Sequence, residues 1–262
     1  MNNKFVDKKY RLWLNKATDD LDLIEELNSM DQTTIEDAFF QNIAFGTGGI
    51  RGLIGAGTNR INIYTIAKVS QGVSNYINNF NRQQPSIAIS FDSRIKSQFF
   101  AKTAAVIFAS NNIHVYLYKN LMPTPCLSFA VRYLGCDAGV MITASHNPSK
   151  YNGYKVYGSD GCQITLKAAQ MIVEESEKID ELELDLQGFE TYFYKGIIEY
   201  IDEKVYIAFI NKVKKQSVIN EFVDKNMAIV YTPLNGTGLK PVTKILYETG
   251  FTNLTIVAEQ EK

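Results

Sequence analysis

Thr143-Ala144-Ser145-His146-Asn147-Pro148 follows directly on the apolar run GVMI and gathers a hydroxyl, an imidazole and an amide in one turn. If GVMI is a strand of an α/β sheet, the turn lies at its carboxyl end, where such sheets bind ligands. A serine there is a candidate nucleophile, provided a base, a metal or a good phosphoryl donor assists it. His146 is its neighbour in sequence, which does not by itself make a Ser–His pair. A plain turn, with Ser145 and Asn147 satisfying backbone groups before Pro148, accounts for the same residues. Taken alone, SHNP favours that plainer reading. A serine hydrolase fits worse still, because no GxSxG surrounds Ser145 and the only other histidine is His114.

Tyr151-Asn152-Gly153-Tyr154-Lys155 comes a short loop later. Lys155 has the chemistry to neutralise phosphate charge or exchange a proton; a solvated strand lysine is the bland alternative. Upstream, Phe45-Gly46-Thr47-Gly48-Gly49-Ile50-Arg51-Gly52 combines closely spaced glycines with an arginine. Backbone amides can approach an anion there, and Arg51 offers a bidentate fork. The segment is neither a Walker A loop nor a dinucleotide fingerprint, and a flexible connection explains it equally well. Asp92-Ser93-Arg94, closing the run SIAISF, reads as a surface ion pair rather than as cleft lining. Asn235-Gly236-Thr237-Gly238 reads either as amides at a helix N-terminus or as a turn capped by Thr237.

The elements that must carry these residues alternate. Residues 4–30 read as helical, with Tyr10, Trp13 and Leu14 on one face and Leu21, Ile24 and Leu27 on another. Thr33 and Glu36 make a capping-box signature for a short helix ending near Asn42, and Phe45–Gly57 reads as a loop. Asn62 caps a helix striped by Ile66, Val69, Val73, Tyr76, Ile77 and Phe80. Strands are predicted at Ser86–Phe91, Ile113–Tyr118, Ala138–Thr143 and Tyr154–Tyr157. Helices are predicted at Ser97–Ser110, Pro125–Leu134 and Thr165–Lys178. His114 is expected on the strand face shared with Tyr116 and Tyr118. Such alternation argues for an α/β layered sheet with substantial parallel pairing. After a boundary placed between 180 and 200, a second unit is predicted: helix Asp202–Lys215, strand Met227–Tyr231, helix Thr237–Thr249 and strand Leu254–Val257. Two strands do not make an independently stable sheet.

Composition bounds the function. Of 262 residues 45% are hydrophobic, and 27 basic against 28 acidic side chains leave a net charge of -1. That balance gives no general attraction to nucleic acid or anionic membrane. The three cysteines form no CxxC pair, which argues for free buried thiols rather than a disulfide framework or a zinc site. The N-terminus lacks an apolar signal core, and no apolar run is long enough to span a bilayer. A cytoplasmic protein is expected.

FGTGGIRG, then TASHNP, then NGYK, in that order within an α/β chain, resembles the phosphoglucomutase/phosphomannomutase family of α-D-phosphohexomutases from about Phe39 onward. The helical leader, with IEDAFFQNIAFGTGGIRGLIGAGTNRIN, is similar to the branch holding bacterial α-phosphoglucomutases and phosphopentomutases. The resemblance implies a phosphoserine at Ser145, an acid–base lysine at Lys155, a phosphate-side arginine at Arg51 and a supporting role for His146. It implies interconversion of glucose 1-phosphate and glucose 6-phosphate through a bisphosphate, with glucose 1,6-bisphosphate as activator. Magnesium is expected to bridge the serine phosphate to a DGDxDR-type loop, which this sequence does not contain. Phosphopentomutase, phosphomannomutase and a non-catalytic phosphosugar-binding remnant remain alternatives. The expected organisation is a helical leader over 1–44, a phosphoserine domain over 45–190 and an incomplete second domain over 200–262. On that reading the chain is a fragment, inactive alone, of a longer mutase.

Overall fold

The computed structural model describes residues 3–218 and 223–261, so only positions 1, 2, 219–222 and 262 of the expected domains lie outside it. Three helices lead the chain: α1 (Asn3–Lys16), α2 (Leu21–Ser29) and α3 (Gln32–Phe39). The helical stretch predicted over 4–30 breaks at Asp20, whose carboxylate accepts from the Asp22 N–H and starts α2. Leu23 and Leu27 are buried while Leu21 is exposed, so α2 turns a different face inward from the one predicted. Asp31, rather than Thr33, caps α3 by accepting from the Thr34 N–H at 2.8 Å. Trp13 meets Phe39 and Tyr64 edge-on at 5.6 and 5.3 Å. This aromatic contact seats the leader on α4 (Ile63–Asn78). Asn62 caps α4 as predicted, accepting from the Tyr64 and Thr65 amides while the Thr65 hydroxyl accepts in return. Phe80 lies beyond the helix end and is exposed.

Six strands form the main sheet: β1 (Gly49–Leu53), β2 (Ser86–Phe91), β3 (His114–Leu117), β4 (Ala138–Ile142), β5 (Tyr151–Gly158) and β6 (Ile198–Tyr200). Their order is β1-β5-β4-β2-β3-β6. β4, β2, β3 and β6 are mutually parallel, and β5 runs antiparallel to both β4 and β1. The connecting helices are α5 (Ser97–Ser110), α6 (Thr124–Leu134), α7 (Leu166–Glu177) and α8 (Phe189–Tyr194), and α9 (Glu203–Lys214) packs on α6. Strand side chains alternate between two cores. Ile87, Ile89, Val115, Val140 and Ile142 join α4, α5 and the leader on one face. Ala88, Met141 and Tyr157 meet Leu127 and Val131 of α6 and Val205 and Ile210 of α9 on the other. A period-two pattern that is apolar on both faces makes a three-layer α/β/α unit. His114 lies on a half-exposed face with Tyr116, as expected, and its Nε2 sits 2.9 Å from Glu199.

Two departures concern the sheet edges. The glycine-rich stretch predicted as loop contains β1, and the sheet runs past position 190 to Tyr200 through β6. β6 has three residues and buries only Ile198, too little for a period-two signal to show. A second parallel pair, β7 (Ile229–Tyr231) with β8 (Leu254–Ile256), encloses α10 (Leu239–Glu248). Thr237 does not cap α10; the helix starts after Gly238 without a side-chain cap.

Cys126 and Cys136 are buried, and burial pushes both thiols up to about 12, whereas Cys162 is exposed. A thiol reagent at neutral pH should therefore label Cys162 alone in the folded protein, and all three after denaturation. Rapid labelling of three thiols in the native protein would contradict this packing.

Candidate active site

β4 ends at Ile142, and the chain turns at once through Ser145 and back into β5. Thr143 Oγ1 accepts from the Ser145 N–H at 2.9 Å, and the Ala144 and Pro148 carbonyls accept from the Asn147 and Tyr151 amides. These bonds hold Ser145 at φ +60°, in the left-handed region, with its side chain exposed. A non-glycine residue there costs about 1 kcal/mol, and such strain in an over-determined turn aims a side chain. His146 Nδ1 lies 3.3 Å from Ser145 Oγ, a long contact whose donor and acceptor depend on the tautomer. Among the described residues no group holds the other ring nitrogen, so no base–orienter relay stands behind the serine.

Arg51 arrives from β1 and Lys155 from β5. Arg51 pairs with Gly153 and Gly49 with Lys155 in the antiparallel register, so the two cations share a sheet face. Gly153 is required here, since a Cβ would come 2.7 Å from the Ile50 carbonyl oxygen and 2.8 Å from that of Thr143. Arg51 Nη1 donates to Asn147 Oδ1 at 2.8 Å, which ties the arginine directly to the serine turn. Arg51, Lys155, Gln163 and the Gly46–Gly49 turn line an open cleft of about 300 Å³. Burial holds the Lys155 amine below its usual range, the Arg51 charge lowers it further, and Asp92 opposes both. Removing the Arg51 charge should move the Lys155 titration upward. An Arg51→Gln variant tests this by NMR titration of isotopically dimethylated lysines; an unmoved or lowered midpoint would contradict the coupling.

Arg94 corrects the sequence expectation. Its side chain is 12% exposed rather than on the surface. Nη2 donates to the carbonyls of Ser145 and Asn147 at 2.7 and 2.6 Å, and Nη1 to those of Pro148 and Tyr151 at 3.0 Å each. The signal that could have found it is topological. Phe91 pairs with Ile142, so the residues after β2 must lie beside those after β4. The Ser93 hydroxyl donates to the Asn235 carbonyl at 2.9 Å, which brings Asn235 of the second unit against the segment after β2.

The family model for phosphoglucomutase/phosphomannomutase, alpha/beta/alpha domain I, matches residues 42–183. The chain belongs to the phosphoglucomutase/phosphomannomutase family. Among curated relatives, the phosphoglucomutase of Staphylococcus haemolyticus (strain JCSC1435) is 39% identical over 252 residues, which is 95% of this chain and 44% of that protein. A Staphylococcus aureus (strain USA300) phosphoglucomutase is 36% identical over 98% of this chain and 45% of its own length. The chain thus spans less than half the length of these relatives. A Thermus thermophilus crystal structure named for phosphomannomutase superposes with a TM-score of 0.67 at 25% identity, over 85% of this chain and 47% of that one. A phosphoglucomutase/phosphomannomutase family protein from Burkholderia thailandensis, at 16% identity and a TM-score of 0.60, covers 81% of this chain and 43% of its own and shares the fold. The matched residues carry β1 to β5 of the sheet, and β6 extends it beyond them. No helix among the described residues is long and apolar enough to cross a membrane.

A hard divalent cation needs several converging oxygen donors. Among the described residues no three His, Cys, Asp or Glu side chains converge to hold an ion. Asp92, the carboxylate behind the serine turn, is engaged by Ser97 and Arg94. These residues do not fit a magnesium site.

Proposed function

We propose that this chain is the phosphoserine-bearing part of a phosphoglucomutase that interconverts glucose 1-phosphate and glucose 6-phosphate. The observation that carries the reading is that Arg51 and Lys155, from two adjacent strands, line one open cleft, and that Arg51 also bonds Asn147 of the turn bearing Ser145. Phosphoryl transfer needs positioning and charge neutralisation more than covalent variety. In the forward step the bond from phosphorus to Ser145 Oγ breaks and one to the glucose 1-phosphate 6-hydroxyl forms. That hydroxyl loses its proton, and Ser145 Oγ gains one. The bisphosphate then turns and returns its other phosphate to Ser145, leaving glucose 6-phosphate. Arg51 neutralises the travelling group. Lys155, more readily neutral than an ordinary lysine, exchanges the proton, and His146 supports the serine. Magnesium would add charge neutralisation for the transferring phosphate, and it would need carboxylate ligands that the described residues do not supply. A cytoplasmic setting accords with the unpaired thiols.

The test is a coupled assay of glucose 1-phosphate turnover with magnesium and a trace of glucose 1,6-bisphosphate. It compares the 262-residue chain with the same chain fused to the remaining portion of the Staphylococcus haemolyticus relative. Turnover by the fusion and none by the chain alone is expected. Robust turnover by the chain alone would overturn the reading that this chain needs further residues to hold the metal. Because the Thermus thermophilus neighbour is named for phosphomannomutase, mannose 1-phosphate is assayed in parallel; a preference for it would move the assignment to phosphomannomutase.

A further inference from the structure

We propose that Arg94 is the positioning residue of the phosphate-carrying turn: it fixes where Ser145 Oγ points and takes no substrate phosphate itself. The donor inventory argues this. A guanidinium has five N–H groups and no acceptor. Four of them reach the carbonyls of Ser145, Asn147, Pro148 and Tyr151, and Nε faces Asp92 Oδ2 at 3.4 Å. Every donor points into the protein's own chain, in contrast to Arg51, which is exposed at the cleft.

The arginine is itself held from behind. Asp92 Oδ1 accepts from the Ser97 hydroxyl at 2.7 Å and from the Arg94 N–H at 3.0 Å. Ser97 Oγ accepts from Asn152 Nδ2 at 2.9 Å, and the same amide donates to the Ile95 carbonyl at 3.0 Å. Ser97 and Asn152 are buried, so this brace has neither room nor solvent to rearrange. The Ser145, Asn147 and Pro148 carbonyls precede the β5 ladder, which starts at Tyr151, and Arg94 donates to all three and to the Tyr151 carbonyl. The fork thereby pins both ends of the 145–151 segment. A lysine, with three donors on one nitrogen, cannot span four carbonyls. The consequence for chemistry follows from geometry, since misplacing a reacting atom by about 1 Å costs about a hundredfold in rate.

The chemical half of this inference rests on the phosphoserine reading, whereas the structural half does not. The first measurement is hydrogen exchange by mass spectrometry on the 262-residue protein, for wild type, Arg94→Lys and Arg94→Ala, the last with and without low millimolar guanidinium chloride. Amides 145–151 should exchange about tenfold faster or more in both variants, with β2 and β4 protected as in wild type. Guanidinium should slow the alanine variant and leave the lysine variant unchanged. Wild-type protection of the turn in either variant, or no response to guanidinium in a folded Arg94→Ala, overturns the proposal. If the alanine variant fails to fold, the lysine variant decides.

The second measurement, on the active fusion, is phosphorylation of Ser145 by glucose 1,6-bisphosphate with magnesium, followed by intact mass. One phosphoryl group moves to Ser145 Oγ, whose proton passes to the departing glucose monophosphate. The maximum rate should fall about a hundredfold in Arg94→Lys with the half-saturating bisphosphate concentration unchanged. A raised half-saturating concentration at an unchanged maximum rate would make Arg94 a phosphate ligand instead. If wild type takes no phosphate, the phosphoserine reading fails, and hydrogen exchange still decides the role of Arg94.

Discussion

Ser145→Ala should abolish glucose 1-phosphate turnover in the active fusion, a loss of about 10⁴-fold or more, the scale seen when a covalent nucleophile is removed. Thr143 and Ser149 carry the other hydroxyls of the segment, and neither occupies the position of residue 145. The Thr143 hydroxyl is buried and accepts from the residue 145 amide, and His146 and Asn147 offer no hydroxyl. The lesion should be chemical, because alanine meets the same left-handed cost at φ +60° that serine already bears. Unchanged thermal unfolding together with loss of the phosphoprotein mass on incubation with glucose 1,6-bisphosphate would establish it. Activity within tenfold of the parent would remove Ser145 from its assigned role.

The second large effect is on stability. Gly49→Ala places a Cβ 1.8 Å from the Tyr154 carbonyl oxygen, and Gly49 sits at φ +157°. The obstacle is backbone, held in place because Tyr154 is wholly buried and its hydroxyl meets Ser70 at 3.1 Å. β1 must therefore part from β5, taking Arg51 out of register with Lys155. A cost of about 3 kcal/mol or more is expected, since overpacking and backbone strain act together. Gly135→Ala is the control, because its Cβ would meet nothing within 4 Å and only the positive φ is paid for, at about 1 kcal/mol. Urea midpoints of the two variants decide the matter, and equal shifts would show that β1 is not clamped as described.

What the sequence made legible was local. GVMI followed by TASHNP is a strand and its turn within one short window, and Asn62 with Thr65 is a cap whose partners lie three residues apart. The α/β class came from alternation repeated over most of the chain. What stayed hidden depended on distant partners. Arg94 looked like half of a surface pair because the carbonyls it serves lie 51 to 57 positions away. β1 looked like a loop because Gly49 reads as a flexibility signal, when its purpose is close approach to Tyr154. Thr33 fitted the capping-box pattern with Glu36, but the Asp31 carboxylate two residues earlier took the amide instead.

The antiparallel pairing of β1 with β5 also sets an order of events during synthesis. Arg51 faces Gly153 across about a hundred residues of intervening chain. β2, β3 and β4 can pair as they emerge, yet β1 has no partner until β5 exists, and long-range pairings of this kind form slowly. The first-made part of the site therefore waits longest. On a ribosome, the arginine is translated before the serine and the lysine but reaches its working position only once the strand bearing the lysine has left the exit tunnel.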